Sequence, residues 1–288
     1  MAVRIERDGQ VLTVIQSRPE VRNAVDPEHA DALQDAFLSF DAEETVDVAV
    51  LCGEGDVFCA GVDLKSLAAR GIATPENRAT HRSLEFPKDG GPIPRGSIGP
   101  SRLQLSKPVI AAIEGPAVAG GMELALWADC RVMAEGSYMG TFNRRWGIAL
   151  TDGATVRLPR LIGQGRALEL IMTARKVDAE ECYRIGLCEV LVPKGQARQA
   201  AEAMAQRIAK FPQVSLRADR RSVYLQQGLP VLAALECEWD NSAGTFEAEG
   251  AAGAARFAKG AGRHGDFGDF NSSTLTTLRQ TAGPGGHR

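Results

Sequence analysis

The sequence predicts an α/β protein with a helical C-terminal region, and three observations carry that reading. VLTVIQ (11–16) is β-branched in character, and VDVAVLCG (46–53) is apolar almost continuously, as strands covered on both faces are. A helical pattern lies between them, giving the strand, helix, strand order of a layered α/β fold. Beyond about residue 195 the chain reads as helix nearly throughout, from AEAMAQRIAKF to the Ala-rich AEGAAGAARFAKG.

Taken in order, RPEVRNAVDPE after the first strand supplies turn residues and then a helix start. Asp26 fits an N-cap with Pro27 at the first helical position, and Leu33, Phe37 and Phe40 share one face of the helix that follows. Residues 70–106 are dominated by Gly, Pro and basic residues, which predicts a mobile surface segment; a lid and a tolerated insertion are both open readings. Order resumes with a strand at 109–114, a short buried helix in AVAGGMELALWADC, and a strand at RVMAE. RALELIMTAR (166–175) is helical; Asp178 caps AEECYRIG, Gly186 stops it, and CEVLVP is a last strand. Residues 1–195 are expected to form the core, 196–262 a helical region, and 263–288, rich in Gly, Ser and Thr, a flexible tail.

The 288 residues, 44% of them apolar, suffice for one sizeable core and a smaller appendage. A formal charge of −3 is nearly balanced and offers no electrostatic footprint for nucleic acid or an acidic membrane. No apolar run is long enough to span a bilayer, and MAVRIERDGQ lacks the apolar stretch of a secretory signal, so the expected compartment is the cytoplasm. The six cysteines are scattered without a CxxC pair and the four histidines are dispersed, so they read as reduced, mostly buried side chains and no metal site is expected. A serine hydrolase is disfavoured: no G-x-S-x-G elbow is present and no His lies near the Gly-rich turns.

Two Gly-containing stretches each join a strand to a helix: GEGDVFCAGVDLKSL (53–67) and IEGPAVAGGMELALWADC (113–130). Such turns expose backbone N–H groups at the positive end of a helix, where developing negative charge can be received. Taken alone, glycines at strand ends are more often plain turn chemistry.

FCAGVDLKSL resembles the F-x-A-G-x-D signature of the crotonase superfamily, the enoyl-CoA hydratase/isomerase family. KPVIAAIEGPAVAGGMELALWADC is similar to that family's second signature, and RPEVRNA and ECYRIGLCEVLVP match in order and spacing over roughly residues 3–262. The resemblance implies a crotonase-like ββα spiral core with a C-terminal helical trimerisation region, and a homotrimer or homohexamer. It implies an acyl-CoA thioester substrate, with coenzyme A carried as part of the substrate and no separate cofactor. By carry-over, Ala60 and Gly120 would be the backbone donors to the thioester oxygen, and Glu123 the first catalytic glutamate, its ionised form favoured by the helix dipole. The second glutamate's position aligns with Asn143 in MGTFNRRWG, and an asparagine cannot trade a proton at neutral pH. Asp152 in LTDGATVRL is the replacement carboxylate, either catalytic or as the N-cap of a helix beginning at Gly153 or Ala154. Arg144 and Arg145 are open to pairing with Asp152 or Glu123, to holding a polar acyl substituent, or to bridging subunits. CoA is expected over the DLKSL turn, with Arg22, Ala60, Asp63, Leu64 and Lys65 as its neighbours.

The leading expectation is hydration of a 2-enoyl-CoA, with Glu123 and Asp152 as the acid–base pair. An isomerase needing one carboxylate is the first rival. Dehalogenation by a nucleophilic Asp152 and a non-catalytic acyl-CoA carrier remain as further alternatives.

Overall fold

The computed structural model describes residues 2–70 and 84–262. The chain divides into two compact units: residues up to Leu105 with Val109–Ala205, and Ser106–Pro108 with the chain from Gln206 onward.

In the first unit, β1 (Val3–Asp8) and β2 (Val11–Gln16) form an antiparallel hairpin. Strands β3 (Val48–Gly53), β4 (Val109–Ile113), β6 (Cys130–Ala134) and β9 (Val190–Val192) then add in parallel, giving the order β1-β2-β3-β4-β6-β9. A second sheet has the order β5-β7-β8, from Pro116–Val118, Tyr138–Gly140 and Val177–Asp178. β2 is buried along its whole length and β3 nearly so, which is why both are apolar without alternation.

The two sheets are built by repetition. β4 is followed by β5 and then helix α3 (Gly120–Trp127); β6 is followed by β7, a short 3₁₀ turn and helix α4 (Ala154–Ile162). β3 leads to Cys59, which bridges to Ala117 of β5, and then to α2 (Leu64–Arg70). Each strand-strand-helix unit thus lays its second strand on the small sheet.

Helix α1 (Pro27–Ala42) starts where the sequence requires: Asp26 accepts from the His29 N–H at 2.8 Å with Pro27 at the first helical position. Leu33, Phe37 and Phe40 are buried, and Phe37 meets Trp127 of α3 edge-on at 4.8 Å between centroids. All of α3 is buried. α5 (Gln164–Thr173) and α6 (Ala179–Ile185) complete the order; Asp178 caps α6 through the Glu181 N–H at 2.8 Å, and Gly186 ends it at φ 82°. α7 (Ala197–Ala209) runs across the division at Ala205.

Within the second unit, α8 (Gln213–Leu225) and α9 (Val231–Ser242) pack together, with Asn241 Nδ2 donating to Ser222 Oγ at 2.8 Å. A π-helical turn, Phe246–Gly250, leads into α10 (Ala251–Ala258). Its Glu249 accepts from the Val214 and Ser215 N–H groups at 3.0 and 2.9 Å, capping α8, whose own N-cap is a proline with no side-chain donor or acceptor to offer.

The structure departs from the sequence reading in three places. β1, β5, β7 and β8 carry no apolar run long enough to signal a strand. β3 starts two residues later than 46. Of the segment expected at the surface, 71–83 lies outside the described residues, and the part that follows is not all surface: Ile98, Pro100, Ser101 and Leu105 are buried. The expected tail, 263–288, also lies outside the described residues. Among the described residues no helix is long and apolar enough to cross a membrane.

One buried charge ties β6 to β9. Arg131 is 1% exposed, donates to the carbonyls of Leu187, Ala128 and Asp129, and pairs with Glu189 at 2.5 Å. Arg131→Leu strands those carbonyls, so urea unfolding should show a loss of about 3–5 kcal/mol.

Candidate active site

The two Gly-rich turns meet. Cys59 and β5 exchange backbone hydrogen bonds, Cys59 N–H to Pro116 O at 3.1 Å and Val118 N–H to Cys59 O at 3.0 Å. That pairing brings Gly61 against the start of α3: a Cβ on Gly61 would lie 2.8 Å from Gly120 N, and one on Gly120 would lie 3.6 Å from Val62 N. Gly61 also has φ +88°, so both its conformation and the space beside it exclude a side chain.

Ala60 does not fit the donor role expected of it, because its N–H is engaged with the Arg22 carbonyl at 3.1 Å. The N–H that lies beside Gly120 is that of Val62, and among the described residues neither Val62 nor Gly120 has an acceptor. Gly61, in the left-handed region that favours glycine, separates the two amides, and the sequence alone does not say which of them the Arg22 carbonyl takes. Gly120 is aimed by its neighbour. Ala119 sits at φ 52°, ψ −124°, a conformation that costs a non-glycine residue about 1–3 kcal/mol, and its N–H is held by Gly140 O at 2.8 Å.

Glu123 lies in the first turn of α3, 4% exposed. Its Oε1 accepts from the Asp152 and Ala154 N–H groups at 2.9 and 3.1 Å. Those amides open α4, so Glu123 caps that helix from the neighbouring one; α4's own N-cap, Gly153, supplies no side chain. Burial, with the adjacent Asp152 charge adding to it, pushes the Glu123 carboxyl up to about 7, against the opposing pull of the two amides and of Arg157. The helix dipole expected to favour its ionised form is therefore outweighed. Oε2 has no hydrogen-bond partner among the described residues.

Asp152 neither caps α4 nor presents a free carboxylate. It is 2% exposed and accepts from the Ser97 and Ser101 hydroxyls, from Ile98 N–H at 3.4 Å and from Thr151 Oγ1 at 3.4 Å. The arginine beside it is Arg157, which donates to Asp152 O at 2.9 Å and Ser101 O at 2.8 Å. Arg145 turns elsewhere, stacking on Phe142 at 3.8 Å and donating to Ala174 O, and Arg144 is exposed. Ser97, Ser101 and Arg157 were not anticipated; a Gly-, Pro- and Ser-rich stretch carries no local sign that it folds inward.

Asn143 is buried where β7 gives way to the 3₁₀ turn. Its Nδ2 donates to Ile148 O at 2.7 Å, holding the loop that runs to Asp152, and its Oδ1 has no partner among the described residues. Asp63 is committed to structure: Oδ1 accepts from Lys65 and Ser66 N–H at 3.1 and 3.0 Å, capping α2, and Oδ2 faces Arg18 at 3.4 Å. Arg22, Leu64 and Lys65 are exposed. Among the described residues no group of His, Cys, Asp and Glu is arranged to hold a metal ion.

The chain has known relatives. The family model described as enoyl-CoA hydratase/isomerase matches residues 6–87 and 100–260. An enoyl-CoA hydratase of Mycobacterium tuberculosis is 32% identical over 254 residues, covering 86% of this chain and 89% of the relative. A carnitinyl-CoA dehydratase of Salmonella typhi is 32% identical over 232 residues, covering 80% and 83%. Among solved structures, an enoyl-CoA hydratase from M. tuberculosis superposes with a TM-score of 0.78 at 31% identity, covering 90% of this chain and 96% of that one. One from Bacillus anthracis gives 0.72 at 29%, covering 84% and 89%. With its stacked ββα units, paired amides and buried glutamate, the chain belongs to the enoyl-CoA hydratase/isomerase family of the crotonase superfamily.

Proposed function

We propose that the protein is an enoyl-CoA hydratase, adding water to the 2,3 double bond of a 2-enoyl-CoA to give the 3-hydroxyacyl-CoA. The observation that carries this reading is Glu123: a buried carboxyl at about 7, one oxygen fixed by two amides, the other unpaired. A group with proton affinity near the working pH serves as base and acid in turn. A water gives its proton to Glu123 Oε2 as its oxygen bonds to C3. The π electrons move to the thioester oxygen, and the resulting enolate is held by the Val62 and Gly120 N–H groups. Glu123 then returns the proton to C2, so one water is added and the carboxylate is regenerated. Each donor of this kind contributes about 3–4 kcal/mol to the transition state. The CoA would follow the turn at Leu64, with exposed Arg22 and Lys65 placed to meet its phosphates. Relatives named as an enoyl-CoA hydratase and a carnitinyl-CoA dehydratase support the reading.

A second reading, isomerisation of a 3-enoyl-CoA, is favoured by one observation: Asp152 is saturated with donors and Asn143 does not titrate, leaving a single working carboxylate. Such a reaction only moves one proton between C2 and C4.

We also propose that copies of the chain assemble through the second unit, where Val231, Leu232 and Trp239 are each more than 70% exposed, apolar surface that water would otherwise have to cover. Light scattering on a size-exclusion column should give three or six chains per particle; a monomer refutes this.

Purified protein mixed with crotonyl-CoA should bleach the enoyl-thioester absorbance and yield a product heavier by one water. If mass is unchanged and a 3-enoyl-CoA is converted to its 2-enoyl isomer, the isomerase reading replaces it. Glu123→Gln should abolish turnover and yet stabilise the fold above pH 7. A raised folded-state value means that the wild type loses stability as pH rises from the unfolded value near 4.5 through about 7, where the buried carboxylate must ionise. The amide escapes that cost, about 3 kcal/mol, and the gain should fade below about pH 5 in thermal denaturation.

A further inference from the structure

Residues 96–101, Gly-Ser-Ile-Gly-Pro-Ser, belong to none of the motifs that identify the family, yet they touch both halves of the site. Gly96 and Gly99 exchange backbone hydrogen bonds at 2.9 and 3.1 Å, pinching the chain into a tight loop. Ser97 Oγ reaches Asp152 Oδ2, Ser101 Oγ reaches Oδ1, and Ile98 N–H approaches Oδ1 at 3.4 Å. The fit leaves no slack: a Cβ on Gly96 would stand 1.8 Å from Ser101 Oγ and 2.3 Å from Asp152 Oδ1. On the other side, Ile98 Cγ2 would lie 2.8 Å from a Cβ on Gly120. Arg157 closes the arrangement by holding the Asp152 and Ser101 carbonyls together.

We propose that Ser97 and Ser101 are positioning residues for Glu123, acting through Asp152: their hydroxyls hold the Asp152 carboxylate, and with it the 152–154 amides, against Glu123. The proposal rests on the reading of Glu123 as the acid–base group. A carboxylate taken out of water needs donors in place of solvent. Here two hydroxyls supply most of them, with the Ile98 amide and Thr151 at longer range. The charged groups facing Glu123 are Asp152 and Arg157; those facing Asp152 are Glu123 and Arg157, with the three hydroxyls. Deprived of the serine hydroxyls, the Asp152 carboxylate is no longer held against Glu123, and its negative charge acts on Glu123 from further away. Glu123 then gives up its own proton more readily.

The test is a titration of Glu123 itself by infrared difference spectroscopy, following the protonated carboxyl band that vanishes in Glu123→Gln. Four proteins are compared: wild type, Asp152→Asn, Ser97→Ala/Ser101→Ala, and the triple variant. The Glu123 midpoint should fall by about one pH unit in both the double-serine variant and Asp152→Asn. The triple variant should titrate like Asp152→Asn alone, because the serines have then lost the group through which they act. Ser97→Thr, which keeps a hydroxyl, should titrate as wild type, and Ser97→Ala alone should shift part of the way, so the outcome does not depend on the double variant folding. A Glu123 midpoint that stays or rises in the serine variants overturns the proposal, as does an equal shift with and without Asp152. No substrate is needed, so this failure is distinct from failure of the hydratase reading, which shows only in turnover.

Discussion

The site depends on one unusual cap. The first amide of α4, that of Ala154, and the Asp152 amide just ahead of its N-cap are both satisfied by Glu123, a residue of α3, through a single carboxylate oxygen. A helix beginning with a glycine at its N-cap leaves orphan donors that a buried position cannot leave unpaired. By reaching across, Glu123 locks two successive ββα units together and is itself fixed in one orientation. The second unit uses the same device, with Glu249 capping α8 from the π-helical turn beyond α9. There the carboxylate is only partly buried, and although that burial pushes Glu249 up, the Ser215 and Val214 amides and the Ser215 hydroxyl together hold it below its ordinary range. At Glu123 burial reverses the sign. The same hydrogen-bond geometry thus serves stability in one place and proton transfer in the other.

Rigidity at the opposing wall comes from backbone rather than side chains. Ala119 is held in a costly conformation by Gly140 of the parallel strand beside it, and Gly61 can approach Gly120 only because neither carries a Cβ. Both features rest on the small sheet: β5 receives Cys59 on one side and β7 on the other. Pairing of three short segments therefore fixes where the two free amides point. Preorganised dipoles of this kind need not reorient as charge develops.

Much of this was legible because it is local. The cap at Asp26, the stop at Gly186 and the continuous apolar strands follow from residues within a few positions of one another. Glu123 and Gly120 were legible because their motif is long. What failed was non-local. TDGAT reads as a self-capping helix start, yet the cap comes from 29 residues upstream. Ala60 and Val62 differ by two places in one motif, and only the Arg22 carbonyl decides which amide is occupied. Residues 96–101 read as surface because Gly, Pro and Ser usually are; here glycines are needed for closeness to a buried carboxylate, and serines for their hydroxyls.

The distribution of charge explains why the buried pair does not neutralise itself. Arg157 is close enough to lower Glu123, and its guanidinium donates to two carbonyls, Asp152 O and Ser101 O. A direct ion pair would have pulled the Glu123 proton affinity down and made it a poor acid. Neutral hydroxyl and amide donors hold Asp152, so its charge stays in place to act on its neighbour. The result is a carboxyl poised near neutrality by burial and by a second carboxylate that the protein keeps occupied elsewhere. That division of labour, one carboxylate held and one left free, is what a single-residue proton shuttle requires.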